Sequence, residues 1–168
     1  MNFLYEKWKP YGVGARDSLV VKFERLIGYT LPKDYRRMLL ATNGGLPEHL
    51  EFTAIVQRRM EVQYVESITA VRSNARYGGD LFSQFEMKQR YEQDGLPFWS
   101  DSIIIGDCQG DNLLLMRLGA THRGYVYFRD DNVLMGAKRP TVVSGTVFLA
   151  TSFTGFLKQL RPDRDELN

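Results

Sequence analysis

Cysteine and histidine are scarce in this sequence, which has one cysteine and two histidines among 168 residues. The lone thiol, Cys108, has no partner for a disulfide within the chain, which is typical of proteins from a reducing compartment. A structural zinc site built from thiolates and imidazoles needs about four ligands, so the sequence argues against one. His49 and His122 lie in polar segments, and we expect both to be surface imidazoles.

Long apolar runs are also missing. The longest, such as 103–105 and 113–116, fall far short of the roughly 20 residues that cross a bilayer. The first ten residues include Glu6, Lys7 and Lys9 and no apolar stretch, so they do not resemble a secretory signal. We therefore expect a cytoplasmic protein with no membrane partner.

Neither sign of charge is in clear excess, because 22 Lys and Arg face 20 Asp and Glu and leave a formal net charge of +2. The positive residues are scattered among acids, even in the densest groups at 33–37 and 58–59. Proteins that bind nucleic acid directly concentrate Lys and Arg on one face or in one run. The charge pattern therefore predicts no direct nucleic-acid partner.

The common catalytic motifs are absent as well. The sequence has no GxSxG, GxxxxGK, HExxH or CxxC pattern. Gly12 and Gly14 do not open a dinucleotide-binding loop, since Asp17 stands where the third glycine belongs and no strand precedes them. These absences indicate a protein with no catalytic residues and no cofactor.

Cys108 and His122 are the one imaginable nucleophile pair. Cys108 is predicted to lie in a hairpin turn beside Asp107 and Asp111. Nearby carboxylates raise the pKa of a thiol and so disfavour the reactive thiolate. The sequence therefore favours a structural role for Cys108.

Helical periodicity predicts a first helix at 18–27, with Asp17 as its N-cap and Gly28 as its stop. A second helix follows Pro32 and ends at the Asn-Gly-Gly run 43–45. We expect Gly44 or Gly45 to adopt a positive φ there. A helical pattern also covers 74–94, and Ser152 is predicted to cap a closing helix.

Alternating apolar residues and turn signals predict strands between these helices. The predicted strands are 50–56, 62–68, 103–105, 113–118, 124–128 and 146–149, with turns at 58–61, 107–111 and 130–132. The order of elements predicts an α+β fold with a central, mainly antiparallel sheet flanked by helices. We expect two helices flanking this sheet to supply core residues, namely Leu31, Tyr35, Leu39, Phe153, Phe156 and Leu157.

Aspartates recur at the predicted strand ends and turns: Asp101, Asp107, Asp111, Asp130 and Asp131. Carboxylates brought together in this way can bind a divalent cation, and a metal-assisted enzyme is one hypothesis. They can equally face a basic protein partner. Asp is also common in turns simply because its side chain bonds the local backbone.

Several segments together resemble the SMI1/KNR4 family, which is also called the SUKH superfamily. They are 31–40 followed by 43–45, the hairpin 103–107 with 110–112, the strand 124–128, and the closing helix 152–160. The resemblance covers 17–160, preceded by an aromatic N-terminal arm at 1–16 and followed by a charged tail at 161–168. The residues that carry it are Leu31, Pro32, Tyr35, Asn43, Gly44, Gly45, Gly110, Phe153 and Phe156.

The resemblance implies an α+β domain without catalytic residues. Many bacterial members of this family are similar to immunity proteins that bind a cognate polymorphic toxin, often a nuclease or deaminase. Its eukaryotic members act as regulatory interaction modules. The resemblance thus implies a protein partner, most simply a toxin, with a regulatory or scaffold domain as the alternative.

We expect the partner to meet the end of the sheet that carries the turn aspartates. Carboxylates at a rim orient a basic partner, and aromatic side chains supply contact area. The residues predicted for this surface are Asp107, Asp111, Asp130, Asp131, Tyr77, Trp99 and Tyr125. The alternative for Trp99 and Tyr125 is that they are ordinary core residues.

Overall fold

The computed structural model describes residues 8–47, 50–71 and 80–162. Within these ranges the helices are α1 (Asp17–Ile27), α2 (Lys33–Thr42), α3 (Leu81–Gln93), α4 (Asp131–Gly136) and α5 (Phe153–Leu157), with a 3-10 helix at Ala120–His122. The strands are β1 (Trp8–Pro10), β2 (Gly45–Pro47), β3 (Leu50–Val56), β4 (Arg59–Ile68), β5 (Ser102–Cys108), β6 (Asn112–Arg117), β7 (Val126–Arg129), β8 (Thr146–Ala150) and β9 (Arg161–Pro162).

The strands form one sheet in the order β1-β2-β4-β5-β6-β7-β8, and every pairing between them is antiparallel. Strand β3 pairs with the first half of β4 and with β9. This antiparallel sheet and the five helices together confirm the predicted α+β fold with a mainly antiparallel sheet.

The larger apolar core lies between one face of the sheet and helices α1, α2 and α5, and Leu81 at the start of α3 is also part of it. Tyr35 packs edge-on against Phe153, with ring centroids 5.0 Å apart. Phe52 of β3 packs in the same way on both Phe128 and Phe156, at 5.6 Å. All six residues predicted for this core are buried, namely Leu31, Tyr35, Leu39, Phe153, Phe156 and Leu157.

A smaller core covers the opposite face of β5 and β6. Successive residues of a strand point to opposite faces, and here Ile103 and Ile105 enter the larger core while Ile104 enters the smaller one. Met87 and Tyr91 of α3 pack on the smaller core. The central hairpin is therefore buried on both faces.

The predicted helix ends are mostly confirmed. Gly28 has a φ of 73°, Gly44 has a φ of 77°, and the Ser152 hydroxyl accepts a hydrogen bond from the Gly155 amide. The N-cap prediction for Asp17 is wrong, because the extended cap residue is Arg16. Asp17 is the first helical residue, and its carboxylate pairs with Arg36 of α2 at 2.6 Å.

Three predicted turns differ in the structure. Strand β5 continues to Cys108, so Asp107 and Cys108 are strand residues and the turn is shorter than 107–111. The segment 130–132 starts helix α4, because the Asp130 side chain caps the helix. The turn predicted at 58–61 lies earlier, with positive φ at Gln57 and Arg58.

Short strands appear at both ends of the described chain. Trp8–Pro10, within the predicted arm, pairs with Gly45–Pro47. Arg161–Pro162, within the predicted tail, pairs with Leu50 and Glu51. Of the predicted helical segment 74–94, the part at 74–79 lies outside the described residues, and helix α3 accounts for most of the rest.

Truncating Phe156 to Ala should lower the free energy of unfolding by about 3–5 kcal/mol, because the ring is fully buried and leaves a cavity. Phe148→Ala is the matched control, since Phe148 is 49% exposed and should lose under about 1.5 kcal/mol. Urea unfolding of the two variants measures both values. Equal losses would contradict the assigned core.

Gly44→Ala should destabilise the protein more than Gly28→Ala. Both positions have left-handed backbone, which costs an L-residue about 1–2 kcal/mol. A Cβ at Gly44 would also lie 2.5 Å from the Ile68 carbonyl oxygen, whereas one at Gly28 meets nothing within 4 Å. Overpacking should therefore add about 1–3 kcal/mol at Gly44 alone. Equal melting temperatures for the two variants would show that the close approach is unimportant.

Candidate functional site

A groove of about 940 Å³ opens at the end of the sheet where the β5–β6 hairpin turns. Helix α3 contributes residues such as Gln84 and Tyr91, and helix α4 contributes Asp131 and Met135. The ends of β4, β5 and β6, the turn between β5 and β6, and Leu46 of β2 supply the remainder. The groove thus joins elements that are far apart in the sequence.

Four carboxylates line this groove: Glu66, Asp107, Asp111 and Asp131. No Lys, Arg or His is among the described residues that line it. Three of the four predicted partner-binding aspartates are therefore brought to one place. Glu66 was missed by the sequence analysis, although its position on an alternating strand marks it as a residue of one face.

Asp107 connects three elements beneath the groove. Its Oδ2 accepts a hydrogen bond of 2.7 Å from the Ser67 hydroxyl of β4. Its Oδ1 accepts one of 3.2 Å from the Gln84 amide nitrogen of α3. These two bonds hold the carboxylate of Asp107 in a defined orientation at the end of β5.

Asp131 is held by a buried arginine. The Nε of Arg129 lies 2.7 Å from the Asp131 carboxylate, and the guanidinium of Arg129 stacks 3.8 Å from the centre of the Phe98 ring. Burial raises the pKa of Asp131, and the adjacent Arg129 charge opposes that rise. The ion pair offsets much of the charge that Asp131 would otherwise present to the groove.

Asp111 and Asp130 have very different surroundings. Asp111 is exposed and sits in the turn between β5 and β6 with a φ of 62°. Asp130 is only 8% exposed, and its carboxylate accepts a hydrogen bond from the Val133 amide at 2.9 Å. The prediction that Asp130 belongs to a binding surface is therefore not supported by its position, because its side chain caps α4 and does not line the groove.

The negative charges of the groove carboxylates help to raise the pKa of two neighbouring groups, the Tyr91 phenol and the Cys108 thiol. Burial raises the pKa of the Tyr91 phenol; the charges of Asp131, Asp111 and Asp107 raise it further, and the charge of Arg129 opposes them. Burial also raises the pKa of the Cys108 thiol, with smaller contributions from Asp107 and Glu66. The Cys108 side chain is inaccessible to solvent, so this thiol is in neither the position nor the ionisation state of a nucleophile.

The predicted aromatic residues lie elsewhere on the surface. Trp99 is half-buried, packing on Tyr127 at 4.8 Å with the Arg117 guanidinium 4.7 Å from its ring centre. Tyr125 is also half-buried and packs on Phe148 at 5.5 Å. Neither lines the groove. They form a partly exposed aromatic patch beside β7 and β8.

Two predicted positions, Tyr77 and His49, fall outside the described residues. His122 is partly exposed in the 3-10 helix, where its ring packs edge-on against Tyr125 at 5.2 Å. In residues 8–47, 50–71 and 80–162, no three or more Asp, Glu, His or Cys side chains cluster tightly enough to hold a metal ion. None of the helices in these ranges is long and apolar enough to cross a membrane.

Comparison with protein families identifies the class of the chain. The sequence pattern of the SMI1/KNR4 family (SUKH-1) matches residues 14–159, which is most of the chain. The chain therefore belongs to the SMI1/KNR4 family, as its helix, hairpin and closing-helix motifs predict. A search of curated proteins finds no match.

Asp130→Ala should lower the free energy of unfolding by about 0.5–2 kcal/mol, because α4 loses its N-cap. Asp111→Asn is the control, since it removes one exposed charge and Asn tolerates the left-handed backbone. That variant should change stability by less than about 0.5 kcal/mol. Chemical unfolding measures both, and an unchanged Asp130→Ala variant would return Asp130 to the list of surface candidates.

Proposed function

We propose that this chain is a non-enzymatic immunity protein that binds and neutralises a cognate polymorphic toxin. Membership of the SMI1/KNR4 family supports a protein-binding role at a coarse level. The observation that carries the proposal further is the groove lined by four carboxylates and by no described cation. Such a surface suits a partner with a basic contact region.

A nuclease or deaminase toxin fits this requirement. Enzymes that act on nucleic acids present Lys and Arg to the phosphate backbone. An acidic surface on an inhibitor competes for the same positive region and accelerates association. Inhibition of this kind depends on complementary surfaces and requires no catalytic group in the inhibitor. A cytoplasmic location would accord with the free, buried thiol of Cys108.

The partner surface in this proposal has two parts. Asp107, Asp111 and Glu66 supply charge in the groove. The aromatic patch that contains Trp99 and Tyr125 supplies apolar contact area, since aromatic residues often dominate the energy of protein interfaces. Asp131 supports the groove mainly through its ion pair with Arg129.

Removing the two exposed groove charges with Glu66→Gln and Asp111→Asn should weaken toxin binding by slowing association, while the fold stays intact. Both residues are exposed, and charges at an interface rim act chiefly on the association rate. We expect the association rate at low salt to fall about tenfold. Stopped-flow binding to the cognate toxin, to be sought first among the products of neighbouring genes, measures the rate, and co-production in growing cells measures protection.

The matched control is Glu86→Gln with Asp94→Asn. Both acids are exposed, neither lines the groove, and the double change alters the net charge by the same amount. Equal slowing by the two double variants would show that net charge, and not the groove, steers the partner. A wild-type chain that gives no protection at all would reject the immunity function and favour a regulatory interaction domain.

A further inference from the structure

Gln84 of α3 has an unusual hydrogen-bonding state. The residue is only 6% exposed, and it forms part of the groove lining. The amide nitrogen donates to Asp107, but no donor among the described residues reaches the amide oxygen Oε1. Buried polar atoms in native proteins nearly always have a partner. An unpaired acceptor here indicates that a donor is supplied from outside the chain.

The orientation of this amide is set by its neighbour. A flip that exchanged oxygen and nitrogen would place Oε1 against the carboxylate of Asp107 and lose the existing bond of 3.2 Å. Asp107 is also bound by the Ser67 hydroxyl and is therefore fixed in position. The Gln84 nitrogen therefore faces Asp107, and Oε1 is left without a partner among the described residues.

We propose that the groove receives an arginine side chain of the partner, with its guanidinium bound by the carboxylate of Asp107 and the amide oxygen of Gln84. This rests on the function proposed above and names the chemical group that the partner inserts. The guanidinium binds the Asp107 carboxylate and donates a further hydrogen bond to Oε1, which no described residue supplies with a donor. The Gln84 nitrogen keeps its bond to Asp107.

The chemistry of the groove favours a guanidinium over an ammonium ion. A guanidinium offers five donors in one plane, so it can bind a carboxylate and a separate amide oxygen together. Its flat face also stacks on aromatic rings, and the Tyr91 side chain lines the same groove. Glu66 and Asp111 add negative charge at the exposed rim, and no arginine among the described residues pairs with either as Arg129 does with Asp131.

The test is a titration of the whole protein with a small probe, N-acetyl-arginine methylamide, followed by nitrogen-15 NMR. The side-chain amide of Gln84 and the backbone amides of Asp107 and Asp111 should shift with one saturating curve. The lysine analogue should bind about tenfold more weakly, because it cannot bridge two acceptors. The citrulline analogue is neutral but similar in shape, and it should produce no saturating shift.

The Gln84→Met variant tests whether Gln84 binds the guanidinium directly or acts only by restraining Asp107. The variant removes the acceptor, but it also frees Asp107 Oδ1 from its present donor. If Gln84 binds the guanidinium, affinity for the arginine probe should fall about tenfold. If Gln84 only restrains Asp107, affinity should rise. Gln89→Met is the matched control, because Gln89 is an exposed glutamine of the same helix that does not line the groove.

Three outcomes would overturn the proposal: no shift in the groove, equal binding of the citrulline analogue, or unchanged affinity in a correctly folded Gln84→Met variant. Folding is checked by matching the backbone spectra of the variants. The probe experiment needs no toxin, so its result is independent of cell protection. A chain that binds the arginine probe but protects no cell would keep the subsite and reject the immunity function.

Discussion

Burial of the β5–β6 hairpin on both faces is the constraint on which the rest of the structure depends. One face packs on the large core beneath α1, α2 and α5, and the other packs on α3 and the segment around Phe98. A sheet with two apolar faces needs a layer on each side. Helix α3 provides the second layer, and α4 starts where β7 ends. The groove is the space left between these two helices at the turn of the hairpin.

Much of the fold could be predicted because its signals are local. The long helices and central strands have clear periodicity, and Gly28 and Gly44 mark helix ends that need left-handed backbone. The run 103–105 also indicates burial on both faces, since a half-buried strand would alternate. Strands β1, β2 and β9 have three residues or fewer. Segments that short show no period, so only tertiary pairing reveals them.

The site was predicted less completely, for two physical reasons. An aspartate bonds nearby backbone amides both in a turn and at a helix N-cap, so the sequence predicts a turn at 130–132 where the structure has the start of α4. The grouping of Asp107 and Asp111 follows from their places at one end of a hairpin. Gln84 comes from a distant helix, and its contact with Asp107 depends on how α3 docks. No pattern within α3 distinguishes Gln84 from the exposed Gln89.

The weak overall charge of the chain does not argue against a basic partner. In salt, the interactions of exposed charges are largely screened beyond about 10 Å, so the net charge of the whole chain has little influence at one contact. Inside a groove with walls of low dielectric constant, the local carboxylates determine the field. The raised pKa of Tyr91, due first to burial and then to Asp131, Asp111 and Asp107 against the opposing charge of Arg129, is consistent with such a local field. A chain with a formal charge of +2 can therefore present a negative site, since no Lys, Arg or His is among the described residues that line the groove and the nearby Arg129 is paired with Asp131.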